Sequence, residues 1–368
     1  MCSSSPFPFP SAEELILIAT ILILPRISSR AENLIDLGNE DQTVEMSYLF
    51  DMEYFFDSWK LACPQIQAVF SDSEVPNLPS SDSSPHLFPG DVKKFEMRKY
   101  LIVDSTGWRE AFDIWLAKNA PSISAETPVR VWQNLVLAQW NREAHPPEFA
   151  NSFPRLFRYP TQTRRLAASA LWSLGGKLGR PVVSSTILYP LAPLSSSMVN
   201  SLGPHRLVNN GFLGAHMRVA ADAAAAGWPG YEAQAPFYIA EAKRLNLTTI
   251  YLATGSVEHR ERFRVDAARE GLGIIVKEDL LDEKELADLQ NLTWDQQALV
   301  DFDVLMHSTW FYGFVRSSFS WSLALRRSTL PEAGTASEVT KMSKDEYRDN
   351  ISAIVGRYDN INPEGLWP

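Results

Sequence analysis

The 368-residue sequence is poor in the residues that define several large protein classes. Its two cysteines, Cys2 and Cys63, allow at most one disulfide and exclude a disulfide-framework protein. None of its six histidines pairs with another at metal-ligand spacing, and no zinc motif is present. Basic residues are outnumbered by acidic ones, 34 against 44, which gives a net charge of −10. This balance argues against nucleic acid as the main partner, because phosphate backbones recruit basic surfaces.

Long hydrophobic runs are also missing. The longest one, residues 15–24, is interrupted by Thr20 and is far shorter than the roughly 20 residues that a membrane-spanning helix needs. Residues 1–10 contain no basic residue, so the start of the chain does not have the pattern of a signal peptide. We therefore expect no membrane span in the chain as given.

The sequence does have the composition of a globular protein with real cores. Hydrophobic residues make up 45% of it and charged residues 21%. Its length predicts about two domains. Residues 184–201 are rich in Ser, Leu and Pro, which favours an inter-domain linker. We accordingly predict an amino-terminal lobe over residues 1–200 and a carboxyl-terminal lobe over residues 201–368.

Strand and helix patterns alternate in the second half of the chain, and this order predicts a parallel sheet covered by helices. The last about 30 residues are polar and are predicted to be helical. In the first half we predict a strand at 20–25, a helix at 50–59 and a helix at 161–178 that ends at Gly175-Gly176. In the second half, the predicted strands are 212–219, 249–253, 273–276 and 310–314, and the predicted helices are 236–245, 258–270, 293–306 (capped by Thr293) and 318–327.

The most distinctive stretch, residues 214–222, reads GAHMRVAAD. In an extended chain, side chains alternate between faces, so His216 and Arg218 are expected on the same side. An arginine is almost never fully buried without a partner, and Asp222 is the nearest one in sequence. Two interpretations follow: an ion pair that pins a loop, or an anion site whose guanidinium meets a phosphate. The nine residues alone favour the ion pair.

A second informative stretch lies where a predicted strand passes into a helix, at residues 316–320 (RSSFS). The hydroxyl of Ser317 is suited to cap that helix, and the free N–H groups of its first turn are suited to hold a phosphate or a purine edge. Phe319 is suited to pack on a base. The alternative is an ordinary helix cap followed by a core phenylalanine, and for Ser317 alone that alternative is favoured.

Three segments together resemble the protein O-fucosyltransferase family, and most of all its fungal O-fucosyltransferase-like branch. They are G-x-H-x-R-x-x-x-D at 214–222, D-Q-Q-A-L-V-D at 295–301 and F-x-G-x-x-x-S-S-F-S at 311–320. The resemblance is clear from about Gly211 to Arg327. It is fainter upstream, at residues 21–27 and 47–55.

The resemblance implies a glycosyltransferase of the GT-B type, an α/β fold with two Rossmann-like lobes. GDP-fucose would lie in the cleft, held chiefly by the carboxyl-terminal lobe. An inverting reaction would transfer fucose to the hydroxyl of a protein Ser/Thr or a glycan, without a metal or other cofactor. The resemblance also implies the lumen of the ER or Golgi as the location. Two N-x-S/T sequons, at Asn246 and Asn291, favour that compartment weakly.

The resemblance also implies a role for each matching residue. The catalytic residue would be Arg218, in contact with the diphosphate and the glycosidic oxygen. This agrees with physical expectation, because a preorganised guanidinium stabilises the charge that develops on a leaving diphosphate. The other donor-binding residues would be His216 facing the nucleotide-sugar, Asp222 supporting this pair, Asp301 reading the guanine edge, and Ser317, Ser318 and Phe319 holding the guanine and phosphate end.

One family feature has no counterpart here. Family members open with a strand and a Gly-rich, Asn-containing loop, which residues 1–10 do not resemble. We therefore expect a first lobe that is truncated at its amino terminus. An alternative is a non-catalytic protein of the same fold that binds a sugar nucleotide or a partner. A third interpretation is a glycosyltransferase of this fold with a different donor.

Overall fold

The computed structural model describes ten segments of the chain, and the predicted linker and domain boundary lie outside them, so both stay predictions. The chain divides into two compact units. Unit 1 contains the described residues of 1–25 and 52–156, and unit 2 those of 26–51 and 157–361. The described segments are 21–29, 43–78, 86–87, 101–102, 108–121, 132–133, 139–140, 156–182, 211–328 and 346–356.

Among the described residues, strands and helices alternate regularly in the second half of the chain. The strands are β1 (Ile21–Ile23), β2 (Ile27–Ser28), β3 (Thr43–Val44), β4 (Gln67–Val69), β5 (His86–Leu87), β6 (Leu101–Ile102), β7 (Trp132–Gln133), β8 (Gln139–Trp140), β9 (Leu213–His216), β10 (Thr249–Ala253), β11 (Gly273–Ile275), β12 (Trp310–Phe314), β13 (Glu346–Arg348) and β14 (Ser352–Val355). The helices are α1 (Met52–Ala62), α2 (Trp108–Asn119), α3 (Thr161–Leu178), α4 (Ala221–Ala225), α5 (Tyr231–Arg244), α6 (Val257–Arg269), α7 (Glu283–Gln290), α8 (Trp294–Met306) and α9 (Ser318–Ser328).

Unit 1 is described through short elements. Strands β1 and β4 run parallel, and buried Cys63 and Ile66 pack with Leu22 and Trp59 between α1 and these strands. The pairs β5–β7 and β6–β8 are also parallel. The predicted strand at 20–25 and helix at 50–59 are confirmed as β1 and α1.

Unit 2 is built on a six-stranded sheet with the order β11-β10-β9-β12-β14-β13. All neighbouring pairs are parallel except β13–β14, at one edge. Strands β9 and β12 are buried along their whole length, as expected for a parallel sheet covered on both faces. The predicted α/β class with a parallel sheet is confirmed.

Close backbone packing fixes the centre of this sheet. A Cβ on Gly214 of β9 would lie 2.8 Å from side-chain atoms of both Leu305 and Ser308. A Cβ on Gly313 of β12 would lie 2.6 Å from the Cβ of Ser320 and 2.9 Å from Ile354. Real Cβ atoms do not approach so closely, so glycine at these two positions lets the helices lie directly against the sheet.

A buried arginine ties α9 to its surroundings. Arg327 is 1% exposed, and an isolated buried guanidinium would be very costly. Its donors are all directed at protein oxygens, so α9 has one fixed position relative to α8 and β14. The acceptors are the carbonyls of Leu305, Met306, Ser308 and Ile351 and the hydroxyl of Ser352.

Local sequence signals predict the start of helix α8 correctly but not the end of helix α3. The side chain of Thr293 accepts a hydrogen bond from the backbone of Gln296, which confirms the predicted cap of α8. Helix α3 continues through Gly175 and Gly176 to Leu178, and the left-handed residue that ends it is Gly179, at φ 65°. The predicted end at Gly175-Gly176 is therefore wrong, because a helix tolerates glycine in its last turn and stops where a positive φ is reached.

Two further predictions are corrected. Helix α5 begins at Tyr231, five positions before Pro236, which lies inside it. The burial of Tyr231, Gln234 and Tyr238 along one face explains the earlier start, since packing of that face outweighs one lost backbone hydrogen bond.

The chain end contains strands β13 and β14 where a helix is predicted. The short apolar run of β14 is held by its pairing with β12, a tertiary effect that local polarity does not reveal.

Candidate functional site

The order of the strands in unit 2 makes one edge of the sheet a candidate binding region. From β9 the chain adds β10 and then β11 on one side, and it returns to place β12 on the other side of β9. Ligands of open α/β sheets bind beyond the carboxyl ends of the strands at such a switch point. Here those ends are His216 of β9 and Phe314 of β12.

His216 joins the end of β9 to the first turn of α9. Its Nδ1 lies 2.8 Å from the hydroxyl oxygen of Ser320, and its ring centroid lies 4.4 Å from that of Phe319. Its backbone carbonyl accepts a hydrogen bond of 2.7 Å from the hydroxyl of Tyr238. Burial and, to a lesser extent, the charge of Arg218 lower the pKa of His216 to about 3. The imidazole is therefore neutral at physiological pH.

Arg218, two residues further on, is held through both its backbone and its side chain. Its N–H donates to the amide oxygen of Gln234, and its carbonyl accepts from the amide nitrogen of Gln234, each at 3.0 Å. Its guanidinium forms an ion pair with Asp222 and lies 5.8 Å from the ring centroid of Trp228 and 5.7 Å from that of Trp294. The predicted partner Asp222 is confirmed, and the two indoles limit the orientations of the guanidinium.

Trp294, which contacts Arg218, is itself held in place by neighbouring residues. Its indole lies against Gly255, where an added Cβ would be 3.1 Å from the indole nitrogen. The residue before it, Thr293, has its hydroxyl 2.5 Å from the hydroxyl of Tyr48. The amide nitrogen of Gln296 donates to the carbonyl of Tyr48 at 2.9 Å. The start of α8 is thus anchored to the segment around Tyr48, which belongs to the same unit.

The first turn of α9 presents backbone donors at the same edge. Ser317 is 4% exposed, and its hydroxyl accepts from the N–H of Ser320 at 3.4 Å, so the predicted capping role is confirmed. Ser318 is exposed and Phe319 is half-buried. Within the described part of the chain, the N–H groups of Ser318 and Phe319 donate to no protein acceptor. Helix N-termini with free N–H groups favour anions.

Asp301 forms its side-chain hydrogen bonds with residues outside this group. It is 5% exposed, and its two carboxylate oxygens accept from the ammonium of Lys277 at 2.6 Å and from the hydroxyl of Tyr251 at 2.7 Å. The next residue of α8, Phe302, does face the site, with its ring 5.3 Å from that of Phe319. The role of Asp301 at a guanine edge stays a prediction, and it requires a ligand to share or replace these two hydrogen bonds.

Sequence reasoning selected seven site residues but missed the side chains that hold them. The selected residues are His216, Arg218, Asp222, Asp301, Ser317, Ser318 and Phe319. The missed residues are Tyr48, Trp228, Gln234, Lys277, Trp294 and Ser320. Two of these had a usable signal: Trp294 directly follows the predicted cap at Thr293, and Lys277 directly follows a predicted strand.

The segments that the structure describes contain neither a metal-binding cluster nor a membrane-spanning helix. In these segments, no group of three or more His, Cys, Asp or Glu side chains is arranged to hold a metal ion. No helix there combines the length and apolarity that crossing a bilayer requires.

Comparisons with known proteins give a distant likeness of fold. No protein-family model matches the chain, and no curated protein matches it. It is similar to a crystal structure of POFUT1 in complex with GDP, with 10% identity, a TM-score of 0.45, and 93% of this chain and 92% of that chain covered. For POFUT1 in complex with GDP-fucose the values are 10%, 0.47, 92% and 89%. Values this low assign no residue, ligand or activity to this chain.

Proposed function

We propose that the chain is a GDP-fucose-dependent glycosyltransferase of the GT-B type. In this proposal, unit 2 binds the donor at the carboxyl edge of its sheet, and fucose passes with inversion to the hydroxyl of a protein Ser/Thr or a glycan. One observation carries the proposal: a fixed guanidinium and a helix N-terminus lie at the ends of two adjacent parallel strands. Arg218 follows β9, and His216, two residues before it, contacts Ser320 and Phe319 in the first turn of α9.

The chemistry of sugar transfer fits such an edge. As the acceptor oxygen bonds to the anomeric carbon, the bond from that carbon to the diphosphate breaks, and GDP leaves with the electron pair. The acceptor hydroxyl releases its proton to solvent. Negative charge therefore grows on the diphosphate. The guanidinium of Arg218, with the N–H groups of Ser318 and Phe319, would stabilise that charge more in the transition state than in the ground state. Because these groups can complement the charge, the proposal includes no metal or other cofactor.

Preorganisation makes Arg218 the catalytic residue of this proposal. A side chain that must be ordered during the reaction loses part of its benefit to conformational entropy. Asp222 and the two indoles already order the guanidinium, and only 9% of the Arg218 side chain is exposed. Low exposure also strengthens its interaction with a phosphate, because water screens it less.

We also propose a place in the lumen of the ER or Golgi. Both sequon asparagines, Asn246 and Asn291, are exposed on the surface of unit 2. Asn246 follows α5 in a left-handed conformation, at φ 54°. Exposed turn positions of this kind are accessible to glycosylation.

The experiment that tests the proposed function is GDP release from GDP-fucose, with and without candidate acceptors. We expect release by the wild-type chain and its loss in Arg218→Ala. The control is Arg165→Ala, which removes an arginine whose side chain is 46% exposed on α3. Binding of GDP without release would support the non-catalytic alternative. A parallel panel of UDP- and ADP-sugars tests the donor, since preference for one of them would contradict the choice of GDP-fucose.

A further inference from the structure

The buried hydroxyl of Ser320 contacts one side chain of the candidate site, that of His216. Ser320 is 0% exposed, and its Cβ packs against Gly313 of β12. The Ser320 hydroxyl has two polar neighbours, the Nδ1 of His216 at 2.8 Å and the backbone N–H of Phe314 at 3.2 Å. The direction of each of these hydrogen bonds follows from counting donors and acceptors.

The N–H of Phe314 can only donate, so it donates to the oxygen of Ser320. The hydroxyl proton of Ser320 then needs an acceptor, because a buried polar hydrogen without one costs about 1–3 kcal/mol. Among the described contacts of Ser320, the one remaining neighbour that can accept is the Nδ1 of His216. The hydroxyl therefore donates to Nδ1.

This direction fixes the protonation of the ring. A neutral imidazole carries one N–H, and an Nδ1 that accepts a hydrogen bond leaves that proton on Nε2. The ring is neutral because burial lowers the pKa of His216, and the adjacent Arg218 lowers it further. Within the part of the chain that the structure describes, Arg218 is the one charged group that contributes to this shift.

We propose that Ser320 is a positioning residue that holds His216 in the Nε2–H tautomer, so that His216 donates a hydrogen bond to an oxygen of the bound sugar nucleotide. The part concerning the ligand rests on the proposed function. A donor suits phosphate, ring and hydroxyl oxygens, which all offer lone pairs. In this tautomer Nε2 has no lone pair to accept a proton, so His216 does not act as the general base through it.

The test is the tautomer itself, measured by NMR on 15N-histidine-labelled, ligand-free protein at pH 7. We expect one unprotonated, pyridine-type resonance for Nδ1 and one protonated, pyrrole-type resonance for Nε2. Comparison with His216→Phe assigns these signals among the six histidines. A protonated Nδ1, or protonation of both nitrogens, would overturn the proposal.

Ser320→Ala separates the role of the hydroxyl from that of the surrounding structure. Without the donor, we expect the two nitrogen resonances of His216 to move towards each other as the tautomers mix. Should this variant not fold, Ser320→Cys, whose thiol is a weaker donor, takes its place with a smaller shift in the same direction. Ser322→Ala, in the same helix, is the matched control and should leave both resonances in place. An unchanged His216 pattern in the folded Ser320 variant would show that Ser320 does not set the tautomer.

A second measurement links the tautomer to binding. We expect Ser320→Ala to weaken GDP-fucose binding by about threefold to tenfold, the effect of one misoriented neutral hydrogen bond, and Ser322→Ala to leave it unchanged. Equal affinity in wild type and Ser320→Ala would refute the link to the ligand. If wild type binds no GDP-fucose, the proposed function fails, whereas the NMR result still decides the tautomer.

Discussion

The guanidinium of Arg218 lies over the indole of Trp294, with its central carbon 5.7 Å from the ring centroid. These residues come from different elements, one after β9 and the other at the start of α8. A cation over an indole face is attracted by the ring's quadrupole. Together with Trp228 and the ion pair to Asp222, this ring limits the orientations of the guanidinium.

Trp294→Ala tests whether this ring contributes to ligand affinity. We expect GDP binding to weaken about fivefold, because the lost cation–π contact contributes about 1 kcal/mol and the freed guanidinium must be reordered by the ligand. Titration calorimetry measures the change. Trp172→Ala is the matched control, since that indole is 82% exposed on α3. An affinity equal to that of wild type would show that the indole does not orient Arg218 for binding.

Gly313→Ala tests the close packing of β12 against α9. The added Cβ would lie 2.6 Å from the Cβ of Ser320 and 2.7 Å from its hydroxyl oxygen. We expect a loss of about 1–3 kcal/mol in the free energy of unfolding, the usual cost of overpacking, measured by urea denaturation.

Gly176→Ala is the control for that substitution. It lies in α3, and a Cβ there would have no neighbour within 4 Å. Alanine should stabilise the helix by about 0.5–1 kcal/mol. If Gly313→Ala is as stable as wild type or more stable, the packing argument for Gly313 is contradicted.

Asp303→Asn tests a buried carboxyl in α8. Burial raises the pKa of Asp303 to about 7, although the guanidiniums of Arg326 and Arg164 oppose the shift. Its pKa in the unfolded chain is about 3.9, so the folded state binds the proton more tightly. Its contribution to stability is therefore complete below about pH 4 and is lost as the pH rises through about 7.

The measurement is the free energy of unfolding of both proteins at pH 4.5 and pH 8. We expect wild type to lose stability relative to Asp303→Asn over this interval, by on the order of a few kcal/mol. The contributions of the other titrating groups to the free energy of unfolding cancel in the difference between the two proteins. A difference that stays constant with pH would contradict the raised pKa.

Much of unit 2 could be predicted from local patterns. The apolar runs at 249–253 and 310–314 form strands with these bounds, because short apolar segments between turn signals suit a buried parallel sheet. The caps at Thr293 and Ser317 were also predictable from local sequence, because Ser and Thr are favoured at helix starts. In the structure, each hydroxyl accepts a hydrogen bond from a backbone N–H three residues further on.

The support of the site could not be predicted in this way. Gln234 holds the backbone of Arg218 from inside α5, and Trp294 reaches it from α8. Such contacts depend on how the helices pack on the sheet, which spacing along the chain does not encode. Asp301 shows the same limit, because its partners Lys277 and Tyr251 come from two other elements.

The most direct test of the account is the calorimetric titration of GDP into wild type, Arg218→Ala and Arg165→Ala. We expect wild type and Arg165→Ala to bind GDP equally well. Arg218→Ala should bind it about 10- to 100-fold more weakly, because a charge-assisted hydrogen bond contributes about 1.5–3 kcal/mol. Folded wild-type protein that binds no GDP, or Arg218→Ala that binds it as tightly as wild type, would contradict the account.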